Sequence, residues 1–242
     1  MLRGDQRDLF DLSFSLPAEC ADRLADGRAG IGIVPCIELA RQPLSVIPGA
    51  GIACHGAVRS ILLVSKVPFE DIRTLASDSG SRTSVMLTRI VLEKKFGVQP
   101  DFISRQPNLV EMLDDADACL IIGDPALLLD PATLPFHVLD LGSEWMDITG
   151  LPMVFAVWAA RADLPPQAPG PFIDSLRFGK TCIDEIVDLE YRPRGISRQL
   201  AHHYLTRSIV FELGEREYRG MALFLKYAGE LRNQTERRTV IA

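Results

Sequence analysis

Apolar residues recur along the chain with two spacings, one typical of helices and the other of strands. From Met86 to Phe96 they return every three or four positions, which predicts an amphipathic helix that Gly97 ends. Short apolar runs bounded by turn residues predict strands instead. The predicted strands are Phe10–Phe14, Ile31–Pro35, Arg59–Ser65, Thr74–Ser77, Asp101–Ser104, Ala118–Asp124, His137–Leu141 and Met153–Ala160.

Further helices are predicted between and after these strands. One runs from Pro17 to Asp26, a second begins at the capping residue Asn108, and a third is capped by Ser143 and ends at Gly150. The Pro-rich stretch from residue 161 to 171 predicts a connector. The helical segments predicted beyond it are Phe172–Tyr191, Ser197–Arg207 and Glu215–Arg232. Alternating strands and helices indicate an α/β protein with helices on both faces of a sheet.

Composition narrows the class of protein further. The chain has 242 residues, of which 47% are hydrophobic and 24% charged, enough for one large domain or two lobes. A net charge of −6 argues against nucleic acid and anionic lipid as main partners, because both favour clustered positive charge. Five scattered cysteines without metal-ligand spacing indicate reduced thiols and no zinc. With neither a signal-peptide pattern nor an apolar run long enough to span a membrane, the protein is expected in the cytoplasm.

Small hydroxyl residues are concentrated at the start of the amphipathic helix. Ser81, Arg82, Thr83 and Ser84 follow a predicted strand and a Ser-Gly pair. A helix N-terminus presents unpaired N–H groups and the positive end of the helix dipole, and α/β proteins place ligands at such turns. Two interpretations stay open. Ser81 is a plain helix cap with nothing bound, or Ser81, Thr83 and Ser84 together hold a carboxylate.

Three other loops at predicted strand ends carry candidate binding residues. Cys36 follows an apolar strand, Gly56 and Arg59 flank the turn after His55, and Asp124 ends another apolar strand. Glycine permits close backbone approach, and a guanidinium binds anions. We expect Arg59 and Asp124 to face one cleft from opposite sides. The plain alternatives are a strand-to-helix turn at Cys36, a loop histidine at residue 55 and a turn-capping role for Asp124.

Five co-linear motifs together resemble the chorismate dehydratase family of the futalosine route to menaquinone. They are IGIVPCIELA, GIACHGAVRSILLVSKVP, SGSRTSVMLTRIVLEKKFG, LIIGDPAL and LDLGSEWMDITGLPMVFAVWAAR, spread over residues 10–161. The resemblance implies a two-lobed α/β fold similar to the type II periplasmic binding proteins. It predicts one lobe from residues 1–66 and 153–242, and a second lobe from residues 67–152.

The same resemblance implies an enzyme. It would be a carbon–oxygen lyase that removes water from chorismate to give 3-[(1-carboxyvinyl)oxy]benzoate, with neither a metal nor a redox cofactor. The general base is left open, with a carboxylate of the substrate as one candidate. The expected substrate-binding residues are Ser81, Arg82, Thr83, Ser84, Cys36, Gly56, Arg59 and Asp124.

This sequence departs from the family at two places. Family members usually carry serine at the position of Cys36, which would weaken a polar contact in the cleft. Members also begin with a strand, an Asn-containing loop that faces substrate and a helix, whereas nine residues precede Phe10 here. We therefore expect the first strand and helix to be missing, and the 242-residue form to be poorly stable and inactive unless roughly 15–25 upstream residues restore both.

The sequence is also compatible with two other functions. The same fold commonly only binds, so the chain is alternatively a non-catalytic binding protein for a small carboxylate. It is otherwise the sister enzyme later in the same pathway, which forms a dihydroxynaphthoate. The amino-acid sequences of the SRTS and GLPMVFAVWAAR segments favour the dehydratase over this sister enzyme. The sequence makes no prediction of oligomeric state.

Overall fold

Nine strands form two sheets in the computed structural model, which describes residues 1, 4–78, 80–161 and 168–241, with side chains of the last helix to Asn233. The strands are β1 (Ile31–Pro35), β2 (Ser45–Cys54), β3 (Ile61–Ser65), β4 (Thr74–Ser77), β5 (Asp101–Ser104), β6 (Ala118–Ile122), β7 (His137–Asp140), β8 (Met153–Ala160) and β9 (Val210–Glu212). The first sheet has the strand order β1-β8-β2-β9, and the second sheet has the order β5-β4-β6-β3-β7.

Helices connect and cover these strands. The α-helices are α1 (Pro17–Ala25), α2 (Arg82–Val91), α3 (Leu109–Asp115), α4 (Asp124–Leu128), α5 (Leu141–Thr149), α6 (Pro169–Thr181), α7 (Ile183–Glu190), α8 (Arg198–His203) and α9 (Glu215–Ile241). Short 3₁₀ helices cover Cys36–Ala40 and Phe69–Asp71. Turns of π-helix extend α2 over Leu92–Phe96 and α8 over Tyr204–Ser208.

The first sheet is antiparallel throughout its described pairs. Its interior strand β8 pairs with β1, from Ile31 opposite Ala160 to Pro35 opposite Ala156, and with β2 on its other side. Strand β2 is not among the predicted strands, because its proline and glycines are turn signals. The register shifts between Val46 and Gly51, which lets β2 carry those residues inside a sheet.

The strand predicted at Phe10–Phe14 does not form, and that prediction was wrong. Residues 11–16 have no regular secondary structure, and Phe14 and Leu16 are 74% and 68% exposed. Alternating apolar residues make a strand only where a neighbour pairs with it, and β1 is an outer strand of its sheet that contacts α1. The contact is close, since a Cβ added to Gly32 of β1 would collide with the Cys20 side chain of α1.

The second sheet mixes parallel and antiparallel pairs. Strand β4 runs parallel to β5 and β6, whereas β3 is antiparallel to β6 and β7. The expected boundary at residue 66 would place β3 in the first lobe, but its hydrogen bonds place it in the second sheet. The division into lobes at residues 66 and 152 stays a prediction.

The helical region at the end of the chain differs in detail from expectation. The predicted helix Phe172–Tyr191 is interrupted at Cys182, which separates α6 from α7. The three-residue strand β9 lies between two predicted helices and was missed, because so short a run leaves little pattern. Of the predicted connector, residues 162–167 lie outside the described residues, and α6 already begins at Pro169.

One large hydrophobic cluster reaches from both sheets to α9. It includes Leu63 and Leu75 of the second sheet, Met153 of the first, and Phe224 of α9. Trp145 of α5 is fully buried, packs edge-on against Phe224, and donates from its indole nitrogen to the Pro152 carbonyl at 3.1 Å. The long last helix therefore helps to hold the two sheets together.

Candidate functional site

The start of α2 is an open helix N-terminus. Its first intrahelical hydrogen bond runs from the Val85 N–H to the Ser81 carbonyl at 3.0 Å, so the amides of residues 82–84 precede the hydrogen-bonded ladder. Ser81 occupies the N-cap position, but its side chain makes no capping hydrogen bond, so the interpretation of Ser81 as a plain side-chain cap is not supported. These amides and the positive end of the helix dipole form the kind of site that attracts an anion. Ser79, another member of the hydroxyl cluster, lies outside the described residues.

The first sheet contributes the surface that meets this helix end. The Ile37 N–H, in the 3₁₀ helix that follows β1, donates to the Thr83 hydroxyl at 3.3 Å. Thr83 and Ser84 are each 3% exposed. Cys36 is completely buried beside this contact, and burial raises the pKa of its thiol, which keeps the sulfur protonated. The structure thus brings Cys36 close to the predicted hydroxyl cluster.

Arg82 is committed to carboxylates of the chain itself. Its guanidinium donates to Glu38 at 3.1 Å and to both oxygens of Asp22 at 2.9 and 3.0 Å. Burial acts to lower the pKa of Arg82, but the hydrogen bonds and charges of Asp22 and Glu38 outweigh it and leave the pKa raised. Glu38 is only 1% exposed and is also bonded by Arg41 and Gln42. Arg82 therefore connects α2 to α1 and to the 3₁₀ helix Cys36–Ala40, a role that was not predicted from the sequence.

Residues 55–60, which we call the first crossover, carry the chain from β2 to β3. Gly56 has a φ of +125° and Arg59 a φ of +67° within it. The Arg59 guanidinium donates to the carbonyls of Ala126, at 3.0 Å, and Leu129, at the end of α4. These hydrogen bonds give Arg59 a helix-capping role in place of the predicted contact with an anion.

Asp124 lies near the same crossover, at the first residue of α4. It forms an ion pair with Arg194 at 2.6 Å, and both side chains are more than 40% exposed. Arg59 binds the C-terminal end of the same short helix that Asp124 begins, and the prediction that the two face one cleft from opposite sides stays a prediction. The Tyr204 hydroxyl donates to the Ser60 hydroxyl at 2.9 Å, and burial raises the pKa of Tyr204.

His55 begins the first crossover and pairs with α9. Its Nε2 lies 2.5 Å from a carboxylate oxygen of Glu217, whose other oxygen accepts from the Gly214 N–H at 2.8 Å. Burial acts to raise the pKa of Glu217, but these hydrogen bonds and the neighbouring imidazole outweigh it and leave the pKa lowered. Cys54, the residue before His55, is buried, and burial raises the pKa of its thiol to about 12.

Asp140 is the polar residue that sequence reasoning missed most clearly. It caps α5 by accepting from the Gly142 and Ser143 amides, at 3.0 and 3.1 Å, whereas Ser143 was predicted as the cap. The same carboxylate accepts from the Val58 and Arg59 amides of the first crossover. An Asp at a strand end followed by Gly-Ser is a recognisable capping signal, but nothing in the sequence connects it to residues 58 and 59.

The surroundings of α2's first turn thus offer hydrogen-bond donors and the protonated thiol of Cys36. Within the described part of the chain, no group of three or more His, Cys, Asp and Glu side chains could hold a metal ion. Among described residues, no helix is both long and apolar enough to cross a membrane. The geometry is suited to hold and orient an anionic small molecule.

Comparisons with known proteins identify the relatives of this chain. A sequence model described as menaquinone biosynthesis matches residues 4–230. The chorismate dehydratase of Thermus thermophilus is 30% identical over 241 residues, which cover 91% of this chain and 87% of that protein.

Solved structures agree on the fold. Protein AF1704 from Archaeoglobus fulgidus matches with a TM-score of 0.71 at 17% identity, over 91% of this chain and 85% of that one. The periplasmic aliphatic sulphonate binding protein SsuA from Escherichia coli matches with a TM-score of 0.58 at 16% identity, over 92% of this chain and 80% of that one. The predicted α/β fold similar to periplasmic binding proteins is confirmed.

Proposed function

Because this chain belongs to the menaquinone biosynthesis family, we propose that it is a chorismate dehydratase, a carbon–oxygen lyase that converts chorismate to 3-[(1-carboxyvinyl)oxy]benzoate and water. The observation that carries the proposal is the open first turn of α2, pressed against the 3₁₀ helix Cys36–Ala40. Chorismate has two carboxylates, and helix N-termini hold such groups by charge-assisted hydrogen bonds. The name of the Thermus thermophilus relative supports the reaction class.

The proposed carboxylate contacts are the amides of residues 82–84 and the hydroxyls around them. The Thr83 hydroxyl accepts a hydrogen bond from Ile37 and keeps its own hydrogen for donation. Ser81, with no capping bond to make, and Ser84 supply further hydroxyls. Arg82 supports this turn through Glu38 and Asp22 rather than by direct contact with substrate.

The remaining predicted residues frame the substrate in this proposal. Cys36 contributes a protonated, buried thiol where relatives are expected to have serine. Gly56 lets the first crossover approach the substrate by its backbone, while Arg59 and Asp124 hold α4 in place. All of them act by shape and orientation.

The proposed dehydration requires no general base from the protein. A base takes the proton from the ring carbon that bears the enolpyruvyl ether, the C–H electron pair forms a ring double bond, and the neighbouring hydroxyl leaves as water once protonated. The ring becomes aromatic. Burial keeps the thiols of Cys36 and Cys54 protonated, so neither is a ready base. We therefore propose that a carboxylate of chorismate accepts the proton, while the protein orients the substrate and excludes water.

The test is incubation of the purified protein with chorismate, with the aromatic product followed by absorbance and mass spectrometry. The double variant Thr83→Ala, Ser84→Ala should weaken chorismate binding by about 1–3 kcal/mol, the range for loss of hydrogen bonds to a charged group. Thr88→Val is the matched control, because Thr88 lies on the same helix and its buried hydroxyl donates to the Ser84 carbonyl at 2.8 Å, within the helix itself.

The outcomes separate the proposal from its alternatives. Product formation that falls in the double variant and persists in the control supports a dehydratase with this anion site. Tight binding of chorismate without product would instead identify a carboxylate-binding protein. Turnover that is equal in wild type and double variant would remove α2 from the site.

A further inference from the structure

The chain passes between the two sheets twice, and both segments hydrogen-bond to the same carboxylate, that of Asp140. The first crossover is residues 55–60, and the second crossover, residues 141–152, runs from β7 through α5 to β8. We propose that Asp140 is a positioning residue that fixes both crossovers where they join the second sheet and thereby sets the angle between the sheets. The consequence for substrate rests on the function proposed above.

Four amide groups converge on the Asp140 side chain. Oδ1 accepts from Val58 at 3.0 Å, Gly142 at 3.0 Å and Ser143 at 3.1 Å. Oδ2 accepts from Arg59 at 2.6 Å. A carboxylate provides about four lone-pair sites, two on each oxygen, so three donors crowd around Oδ1 while Oδ2 serves Arg59.

Helix capping explains only half of this arrangement. A capping side chain needs the amides two and three residues ahead, which Gly142 and Ser143 provide. Val58 and Arg59 lie 82 and 81 residues away in sequence, on the other crossover. Their amides tie the two passages of the chain to each other.

Two glycines with positive φ lie on the other side of Asp140, towards the first sheet. Gly56 separates the held amides from β2, and Gly150 separates α5 from β8. Both have positive φ, +125° and +67°, and a Cβ at either position would meet nothing within 4 Å. On the second-sheet side, Arg59 is held by its amide and by its guanidinium on α4. Rotation of one sheet against the other is therefore expected at these two glycines, with α5 moving with the second sheet.

Two variants separate the crossover contact from the helix cap. In Asp140→Asn the amide oxygen can replace Oδ1 and keep its three donors, but the amide nitrogen then points a donor at the Arg59 N–H. Asp140→Ser retains a good capping residue whose hydroxyl is too short to serve both crossovers. The matched control is Asp117→Asn, because Asp117 accepts from the amides of Arg73 and Thr74 at the edge of β4, with no crossover involved.

Three measurements test the proposal on the whole chain. Amide exchange of Arg59 should become about tenfold faster in both Asp140 variants, and that of Val58 in Asp140→Ser, while Gly142 and Ser143 stay protected. The radius of gyration from X-ray scattering should rise without ligand. The KM for chorismate should rise about tenfold with kcat within about threefold, since binding must then order the two sheets. Asp117→Asn should lower thermal stability and leave all three readouts at wild-type values.

The results that overturn the proposal are specific. They are an unchanged radius of gyration and KM in both Asp140 variants, or a rise in KM in the Asp117 control as large as theirs. If the wild-type protein does not convert chorismate, the proposed function fails, while amide exchange and scattering still decide the role of Asp140.

Discussion

The Glu217 carboxylate links the last helix to the first crossover through His55, and its titration should appear in the stability of the protein. Its pKa lies below the ordinary value of 4.5 in the folded chain. A carboxyl with a lowered folded pKa stabilises the fold above its unfolded pKa, and that contribution is lost as the pH falls through the folded pKa. The relevant window is therefore below about pH 4.5.

Glu217→Gln should consequently be less stable than wild type at pH 7, with a difference that narrows as the pH falls below about 4.5. Urea unfolding at a series of pH values measures this. Glu70→Gln, at an exposed position of a 3₁₀ helix, is the control and should track the wild type. A wild-type to Glu217→Gln difference that is constant from pH 7 to pH 3 would contradict the assignment.

At the scale of elements, Arg82 joins α2 to α1 and to the Cys36–Ala40 3₁₀ helix. Arg82 and Arg41 contact the same oxygen of Glu38, at 3.1 and 3.2 Å. The two arginines differ in position and in exposure. Arg41 lies three residues from Glu38 in sequence and its side chain is half exposed, whereas Arg82 lies on α2 and its side chain is 25% exposed. Arg82, and not Arg41, therefore connects the buried Glu38 carboxylate to a distant element, the helix α2.

Arg82→Ala should lower the free energy of unfolding by about 1–3 kcal/mol, since hydrogen bonds to a charged buried group are lost. Arg41→Ala, the matched control, should cost less than about 1 kcal/mol, as expected of an exposed local pair. Chemical denaturation of the two variants checks the order. Equal losses would mean that Arg82 contributes no more than a surface ion pair.

Elements with strong local signals were predictable from the sequence, and those set by distant partners were not. The Asn108 cap is confirmed, its side chain accepting from the Val110 and Glu111 amides, because capping needs only neighbours in sequence. Strand β2 was missed, because its proline and its two glycines are local turn signals, while its pairing with β8 joins segments far apart in sequence. The strand expected at Phe10–Phe14 failed for the converse reason, a correct local pattern without a paired neighbour.

The candidate site divides in the same way. The turn before α2 and the loops at Cys36, Gly56 and Asp124 were located from residue type and position alone. Their partners were not, because Glu38 for Arg82 and Ala126 for Arg59 lie 44 and 67 residues away. A charged residue in a loop at a strand end therefore indicates where a polar contact is made. Whether that contact is with a ligand or with another part of the chain depends on the tertiary fold.

At the scale of the whole molecule, the two sheets differ in how far apart their strands lie along the chain. The second sheet is assembled within residues 61–140. The first sheet pairs Ile31 with Ala160 and Ala50 with Glu212, so it encloses the second in sequence. Closing long loops costs entropy before the contacts form, and pairings between distant segments are slow.

This nesting sets an order of events during folding. The second sheet can form while the two ends of the chain are still unfolded, whereas the first sheet must wait until β8 and β9 return to β1 and β2. Pulsed amide exchange during refolding should find β3, β4 and β6 protected before β1 and β8. Simultaneous protection of both sheets would contradict this order. A chain that emerges from the ribosome would therefore hold a finished second sheet while its first two strands still await partners that have not been synthesised.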